Sequence, residues 1–321
     1  MAQQANHPNH PLPAGFQLDD YRIERQLSLG GFSIVYLATD PAGVAVAIKE
    51  YLPHNLALRG EGGIRPLIPA DHRPAFRYGM KCFFEEGSAL ARLSHPNVVR
   101  VLNFFRANDT VYMVMQYEHG RTLQEMIQKQ RASITENFIR CVFTRLLNGL
   151  REVHAHRLLH LDLKPSNIYM RNDHDPVLID FGAARQILAL DTPLLEPTLT
   201  PGFASPEHYN RRERLGPWSD IYGVGASMYA CLAGSAPQAA DTRRKNDQLV
   251  AATARWQPQF SRQLLETIDG CLRLDPLERP QSVFALQKAL SGNTPAAPAR
   301  STSRIAKLLG RLRKKIGRQW N

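Results

Sequence analysis

The stretch His160-Leu161-Asp162-Leu163-Lys164-Pro165-Ser166-Asn167 is followed by Ile179-Asp180-Phe181-Gly182, with Asp180 thirteen residues after Asn167. This pairing decides how the rest of the chain is read. Asp162 is a carboxylate placed to accept or orient a hydroxyl proton, and Lys164, two residues on, neutralises an anion beside it. Asn167 offers a neutral amide oxygen, and Asp180, at the end of the apolar strand Val177-Leu178-Ile179, offers a carboxylate. Hard divalent cations take both kinds of oxygen.

Upstream, Leu27-Ser28-Leu29-Gly30-Gly31-Phe32-Ser33-Ile34-Val35-Tyr36 places two glycines between strand-like runs, where backbone N–H groups can approach a phosphate closely. The next run, Val46-Ala47-Ile48-Lys49, ends an apolar strand on a lysine. A segment with helical spacing, Phe76–Leu93, then carries Glu85 and Glu86. Taken alone, a Gly-Gly turn is an ordinary hairpin and a terminal lysine an ordinary edge charge. Order and spacing give them weight.

Together these motifs resemble the protein kinase superfamily over about residues 20–290. The phrases Ala47-Ile48-Lys49-Glu50-Tyr51-Leu52-Pro53 and Asp180-Phe181-Gly182-Ala183-Ala184-Arg185 resemble its bacterial, eukaryotic-like serine/threonine branch. The resemblance implies an α+β fold in two lobes, with a small β-rich lobe before a larger helical one. It implies ATP with Mg²⁺ (Mn²⁺ as the alternative) and transfer of the γ-phosphoryl group to Ser/Thr hydroxyls of proteins, this chain included. Ser28, Gly30 and Gly31 would cover the phosphates. Lys49 would pair with the α- and β-phosphates and be held by Glu86, with Glu85 as its rival. Val35 and Ala47 would lie above the base and Tyr169 below. Met115 would precede a hinge in which backbone groups of Gln116 and Glu118 read the adenine, leaving their side chains of little importance. Asp162 and Lys164 would act on the acceptor hydroxyl, Asn167 and Asp180 on the metal, and Thr200 would bridge Asp162 and Lys164. Glu207, in Gly202-Phe203-Ala204-Ser205-Pro206-Glu207, would form a buried pair with Arg279, and Asp220 would open a central helix.

The sequence departs from the family pattern at three places. Ser28 and Ser33 stand where the first and third glycines usually sit, and Leu161 where many members carry arginine. Weaker nucleotide affinity and little gating by a single loop phosphate are expected. Thr192 and Thr198 remain candidate autophosphorylation sites, and Glu196 a candidate phosphate mimic. The alternative reading is a pseudokinase-type binding module that positions a partner through its tail. Retention of Lys49, Glu86, Asp162, Asn167 and Asp180 together argues against it.

The pattern divides the chain into a flexible leader (1–15), a smaller lobe (16–115), a hinge (116–120), a larger lobe (121–291), a Pro/Ala linker (292–300) and a basic amphipathic tail (301–321). Strands are expected at Tyr21–Leu27, Ser33–Ala38, Val44–Glu50, Val98–Phe105 and Thr110–Gln116. Helices are expected at Leu123–Gln130, Thr135–His156, Trp218–Leu232, Ser261–Arg273 and Ser282–Leu290. The long stretch between Lys49 and Glu86 is expected to hold an extra loop or small hairpin.

Of the net charge of +11, residues 300–321 contribute eight Lys/Arg and no acid, which leaves about +3 for the body. Ile305, Leu308, Leu309, Leu312, Ile316 and Trp320 fall on one helical face of that tail. It suits an anionic membrane surface or an acidic partner; nucleic acid is disfavoured, because aromatic residues are too few for base stacking. Four scattered cysteines, no signal-like leader, and a longest weakly polar stretch (Ile221–Gly234) of 14 residues suit a cytoplasmic protein, peripheral on the inner membrane face if the tail engages lipid.

Overall fold

β-branched and aromatic runs punctuated by Gly, Asp and Asn form an antiparallel sheet in the first third of the chain. A computed structural model of the protein describes residues 9–181, 199–210 and 213–291. Strands β1 (Gln17–Leu18), β2 (Tyr21–Leu29), β3 (Ser33–Thr39), β4 (Ala45–Tyr51), β5 (Val101–Ala107) and β6 (Thr110–Gln116) make one antiparallel sheet in the order β1-β2-β3-β4-β6-β5. The β5–β6 turn rests on Asn108 and Asp109, both left-handed (φ 50° and 59°), as a two-residue hairpin requires.

Register matters most at β4. Val35 pairs with Lys49 and Leu37 with Ala47 across β3–β4, while Lys49 pairs with Met113 and Ala47 with Met115 across β4–β6. Directly opposed residues share a face, so Val35, Ala47, Lys49 and Met115 lie on one side of the sheet. Ile48 and Glu50 lie on the other. A slip of one residue would carry Lys49 to the wrong side.

Helix α1 (Arg73–Leu90) covers the Lys49 side. Tyr51, the last residue of β4, packs its ring on Phe76 (5.2 Å between centroids) and Phe83 (5.8 Å) of that helix. Gly79 permits this approach, because a Cβ there would collide with the Tyr51 hydroxyl.

The larger lobe contains α2 (Leu123–Lys129), α3 (Glu136–Ala155), α4 (Pro217–Ala233), α5 (Ala240–Lys245), α6 (Ala252–Trp256), α7 (Arg262–Cys271) and α8 (Val283–Ser291). Thr122 and Glu125 form a capping box on α2, and Thr135 and Ser261 accept the N–H of Phe138 and Leu264 at the starts of α3 and α7. Helix α4 is buried on every side from Ser219 to Leu232, as a helix apolar all round must be. A small sheet of β7 (Gly120–Thr122), β8 (Ile168–Arg171) and β9 (Pro176–Leu178) floors the boundary between lobes. Among the described residues, no helix is long and apolar enough to cross a membrane.

Two expectations need correction. Residues 1–15 do not behave throughout as a flexible leader: Asn9 and Leu12 are buried, and the Asn9 side chain donates to the carbonyls of Leu52 (3.3 Å) and Ala57 (3.2 Å). Polar composition suggested a free end, but these polar groups are satisfied by the backbone of the segment after β4. That segment closes a small antiparallel bridge, Leu58 to Leu67, so the insert is indeed a small hairpin. Its purpose is visible at Arg59, which is fully buried and forks onto the equally buried Glu50 (Nη1–Oε1 2.6 Å, Nη2–Oε2 2.7 Å). Helix α1 also starts and ends three residues earlier than its spacing suggested, with Pro74 in its first turn.

Candidate active site

The loop from His160 to Asn167 is built around one buried carboxylate. Asp220, in the first turn of α4, accepts the N–H of His160 (2.9 Å) and of Leu161 (2.7 Å) and lies 2.7 Å from His154 Nε2. Burial opposes its charge, but these donors outweigh burial and hold its carboxyl below the usual range. Leu161 sits at φ 61°, a conformation a branched side chain adopts only when its surroundings enforce it. The His160 ring packs on Phe181 (4.4 Å between centroids), with Nε2 3.2 Å from the Ile179 carbonyl. A carbonyl only accepts, so Nε2 carries the proton. Burial pushes the pKa of this imidazole down, which keeps it neutral and structural.

Asp162 stands at the centre of a tight polar group. Its carboxylate accepts from the Thr200 hydroxyl (3.0 Å) and lies 2.7 Å from Lys164 Nζ, which also donates to Thr200 Oγ1 (2.8 Å). Asn167 donates its amide N–H to the Asp162 carbonyl (2.9 Å) and carboxylate (3.0 Å). The opposite amide orientation would set oxygen against oxygen, so the Asn167 oxygen faces away from Asp162. With the Asp180 carboxylate this gives a donor set of hard oxygens, which fits a divalent cation.

Lys49 Nζ lies 2.6 Å from Asp180 Oδ1. Desolvation in the cleft opposes ionisation of Asp180, but Lys49, with Lys164 behind it, holds the carboxyl well below the usual range. The side chain still keeps 46 % of its surface open. The sequence reading expected Lys49 to be held by Glu86. The ion pair found is with Asp180, whose backbone is left-handed (φ 61°). Glu86 is buried in α1, next to the Phe83 region that lies under Lys49 (5.7 Å to the ring centroid). Glu85 is on the exposed side, 3.7 Å from Lys81.

The remaining predicted residues lie on or beside strands β2, β3, β4, β6 and β8. Ser28 pairs with Val35 at an irregularity in β2–β3, and Gly30 and Gly31 form the turn beyond it. The Gly31 carbonyl receives the N–H of His54 (3.0 Å), and its ring Nδ1 lies 2.8 Å away. Met115, next to last in β6, lies opposite Ala47, and Tyr169 on β8 is half-buried. Gln116 donates its N–H to the Arg100 carbonyl (2.9 Å). Glu118 departs from expectation. Its carboxylate is gripped by both Arg171 Nε (2.6 Å) and Nη2 (2.7 Å), so its side chain does matter. Thr192, Glu196 and Thr198 lie outside the described residues, as do Gly182 and the tail.

Away from the cleft, Glu207 and Arg279 form the buried pair expected of them (2.8 and 3.0 Å), with Ser219 donating to the same carboxylate (2.8 Å). Sequence reasoning missed Arg59, Glu50, His54 and Arg171. Only Arg171 carried a signal. It follows Tyr169 by two residues on a strand, and therefore shares the face that Tyr169 presents to the hinge.

Comparison with known proteins agrees with this geometry. The protein kinase domain model matches residues 21–290. Serine/threonine-protein kinase D of Synechocystis sp. is 29% identical over 309 residues, covering 90% of this chain and 56% of the relative. Serine/threonine-protein kinase PknA of Nostoc sp. is 29% identical over 295 residues, covering 87% and 49%. The chain thus spans about half the length of these curated relatives. A solved structure titled "PpkA-294 apo form" superposes with a TM-score of 0.77 at 34% identity, covering 88% of this chain and 99% of that one. A carboxylate–lysine–hydroxyl cluster on a loop pinned by a buried aspartate, found inside a matched segment of this length, leads to one conclusion: the chain belongs to the protein kinase domain family.

Proposed function

We propose that the protein transfers the γ-phosphoryl group of ATP to Ser or Thr hydroxyls of protein substrates, itself included. One observation carries this reading. A hydroxyl, that of Thr200, already donates to Asp162 and accepts from Lys164. That is how the pair would treat an acceptor alcohol: Asp162 orients its proton, and Lys164 offsets the charge that develops on the phosphoryl oxygens. Lys49, delivered by the β4 register to the cleft face, would pair with the α- and β-phosphates; Glu86 on α1 is the carboxylate to steady it there.

Asn167 and Asp180 would hold Mg²⁺, with Mn²⁺ as the substitute, and the ion would supply charge neutralisation to the phosphates when bound. Ser28, Gly30 and Gly31 would cover the phosphates. Val35 and Ala47 would sandwich the adenine against Tyr169. Gln116 has its N–H committed to Arg100, which leaves its carbonyl for the base edge, beside the backbone of Glu118.

Incubation of the full chain with labelled ATP and Mg²⁺ should give labelled protein, and Asp162→Asn should lower the rate by roughly a thousandfold. No transfer with Mg²⁺ or Mn²⁺, alongside measurable partner binding, would establish the binding-module alternative instead. The basic amphipathic tail supports peripheral attachment to anionic membrane, with an acidic partner as the competing ligand. Vesicles containing phosphatidylserine should float the intact chain but not one ending at residue 299. Equal flotation of both would sink that reading.

A further inference from the structure

Two stretches of backbone, the 116–120 connection and the turn at Pro96, pass within reach of one side chain. Arg171 closes β8 opposite Gly120, the last hinge residue, in the β7–β8 register. Its guanidinium takes both oxygens of Glu118 with Nε and Nη2, and Nη1 donates to the Pro96 carbonyl (2.8 Å). Pro96 belongs to the turn that returns the chain from α1 to β5. The next residue, Asn97, is itself fixed to the larger lobe through the Pro176 carbonyl (2.7 Å). The fork is only partly wet, with 23 % of the Arg171 side chain and 10 % of the Glu118 side chain exposed. Gly120 brings the hinge down onto β8 at this point, since a Cβ there would collide with the Met170 carbonyl.

We propose that Arg171 is a positioning residue for nucleotide binding: by fixing Glu118 and Pro96 to the strand that carries Tyr169, it sets the spacing between the hinge edge and the floor of the cleft. The proposal rests on the reading that this cleft takes ATP. Nothing in it asks Arg171 to touch the nucleotide. A planar five-donor fork suits this task because it constrains orientation as well as distance, which a lysine ammonium does not.

The test compares the full-length protein with Arg171→Ala, Arg171→Lys, Glu118→Gln, the Arg171→Ala/Glu118→Gln double variant and the charge-swapped Arg171→Glu/Glu118→Arg. Direct affinity for Mg-ADP by calorimetry, KM for ATP, kcat and melting temperature are read for each. Arg171→Ala should weaken Mg-ADP binding and raise KM roughly tenfold while kcat at saturating ATP stays within about twofold. Arg171→Lys should fall between it and wild type. The double variant should be no worse than Arg171→Ala alone, because the two groups act as one unit, and the swap should recover part of the loss.

Unchanged ADP affinity in Arg171→Ala, additive losses in the double variant, or a fall in kcat with KM unchanged would each overturn the proposal. If Arg171→Ala does not fold, Arg171→Lys and Glu118→Gln decide on the same readouts. A wild-type protein that binds Mg-ADP but transfers no phosphate would defeat the catalytic reading, and the affinity series would still decide this one. A wild type that binds no nucleotide would defeat both.

Discussion

The two lobes each bury one arginine–carboxylate fork, and in both forks the two side chains are 0% exposed. In the larger lobe Arg279 reaches Glu207 across 72 residues of sequence; in the smaller lobe Arg59 reaches Glu50 across nine. Their surroundings differ more than their distances. Glu50 also accepts from the hydroxyls of Tyr36 (2.7 Å) and Tyr112 (2.8 Å), whereas the other side-chain hydroxyl donor at Glu207 is Ser219. Arg59 further donates to the His10 carbonyl (2.9 Å), which ties the chain before β1 to the insert after β4. Arg279 instead ties two parts of its own lobe, the start of α4 at the Trp218 carbonyl and the segment after α7 at the Arg273 and Leu274 carbonyls. A buried charge is tolerable only while its partners remain. The difference between the pairs is how many partners survive a single loss.

That difference predicts a rank order. Arg279→Ala should be the more damaging change, at about 4–5 kcal/mol of unfolding free energy, because Glu207 keeps little besides Ser219. Arg59→Ala should cost about 3 kcal/mol, because two tyrosine hydroxyls still solvate Glu50. Urea denaturation of both variants reads this directly, and the reverse order would break the comparison. Tyr112→Phe should close the gap when added to Arg59→Ala.

The smallest effect concerns acid. Burial opposes ionisation of Glu207, but the Arg279 fork and Ser219 hold its carboxyl below the usual range. A folded pKa below the unfolded one means stability that is fully present above the unfolded value of about 4.3 and lost as pH falls through the folded value. The stability gap between wild type and Arg279→Ala should therefore narrow below about pH 4. A gap constant from pH 7 to pH 3 would show that Glu207 is not charged in the way described.

Much of the architecture was legible because it depends on short-range pattern. The strands Tyr21–Leu29, Ser33–Thr39 and Thr110–Gln116 and the helices Glu136–Ala155 and Pro217–Ala233 lie within two or so residues of where periodicity and caps placed them. The Asp162, Lys164 and Asn167 cluster was legible for the same reason, since all three side chains sit on one short loop. The segment Asn9–Leu12 was not. Its burial depends on Arg59, Leu52 and Ala57, some forty to fifty residues away, and no local rule relates them. The ion pair of Lys49 with Asp180 was likewise not foreseen. Asp180 and Glu86 are both plausible carboxylates by motif, and only their three-dimensional placement separates them.

The sequence by itself determined the family, the two-lobed order of strands and helices, and the residues proposed for phosphate, metal and hydroxyl. Periodicity and motif spacing are local quantities, and they survive without a structure. The tertiary structure alone decided that Lys49 pairs with Asp180 here, that Glu50 is buried on Arg59, and that Arg171 forks onto Glu118. These are pairings between charges far apart in sequence. Which of them form depends on desolvation and on hydrogen-bond partners that exist only once the lobes are packed.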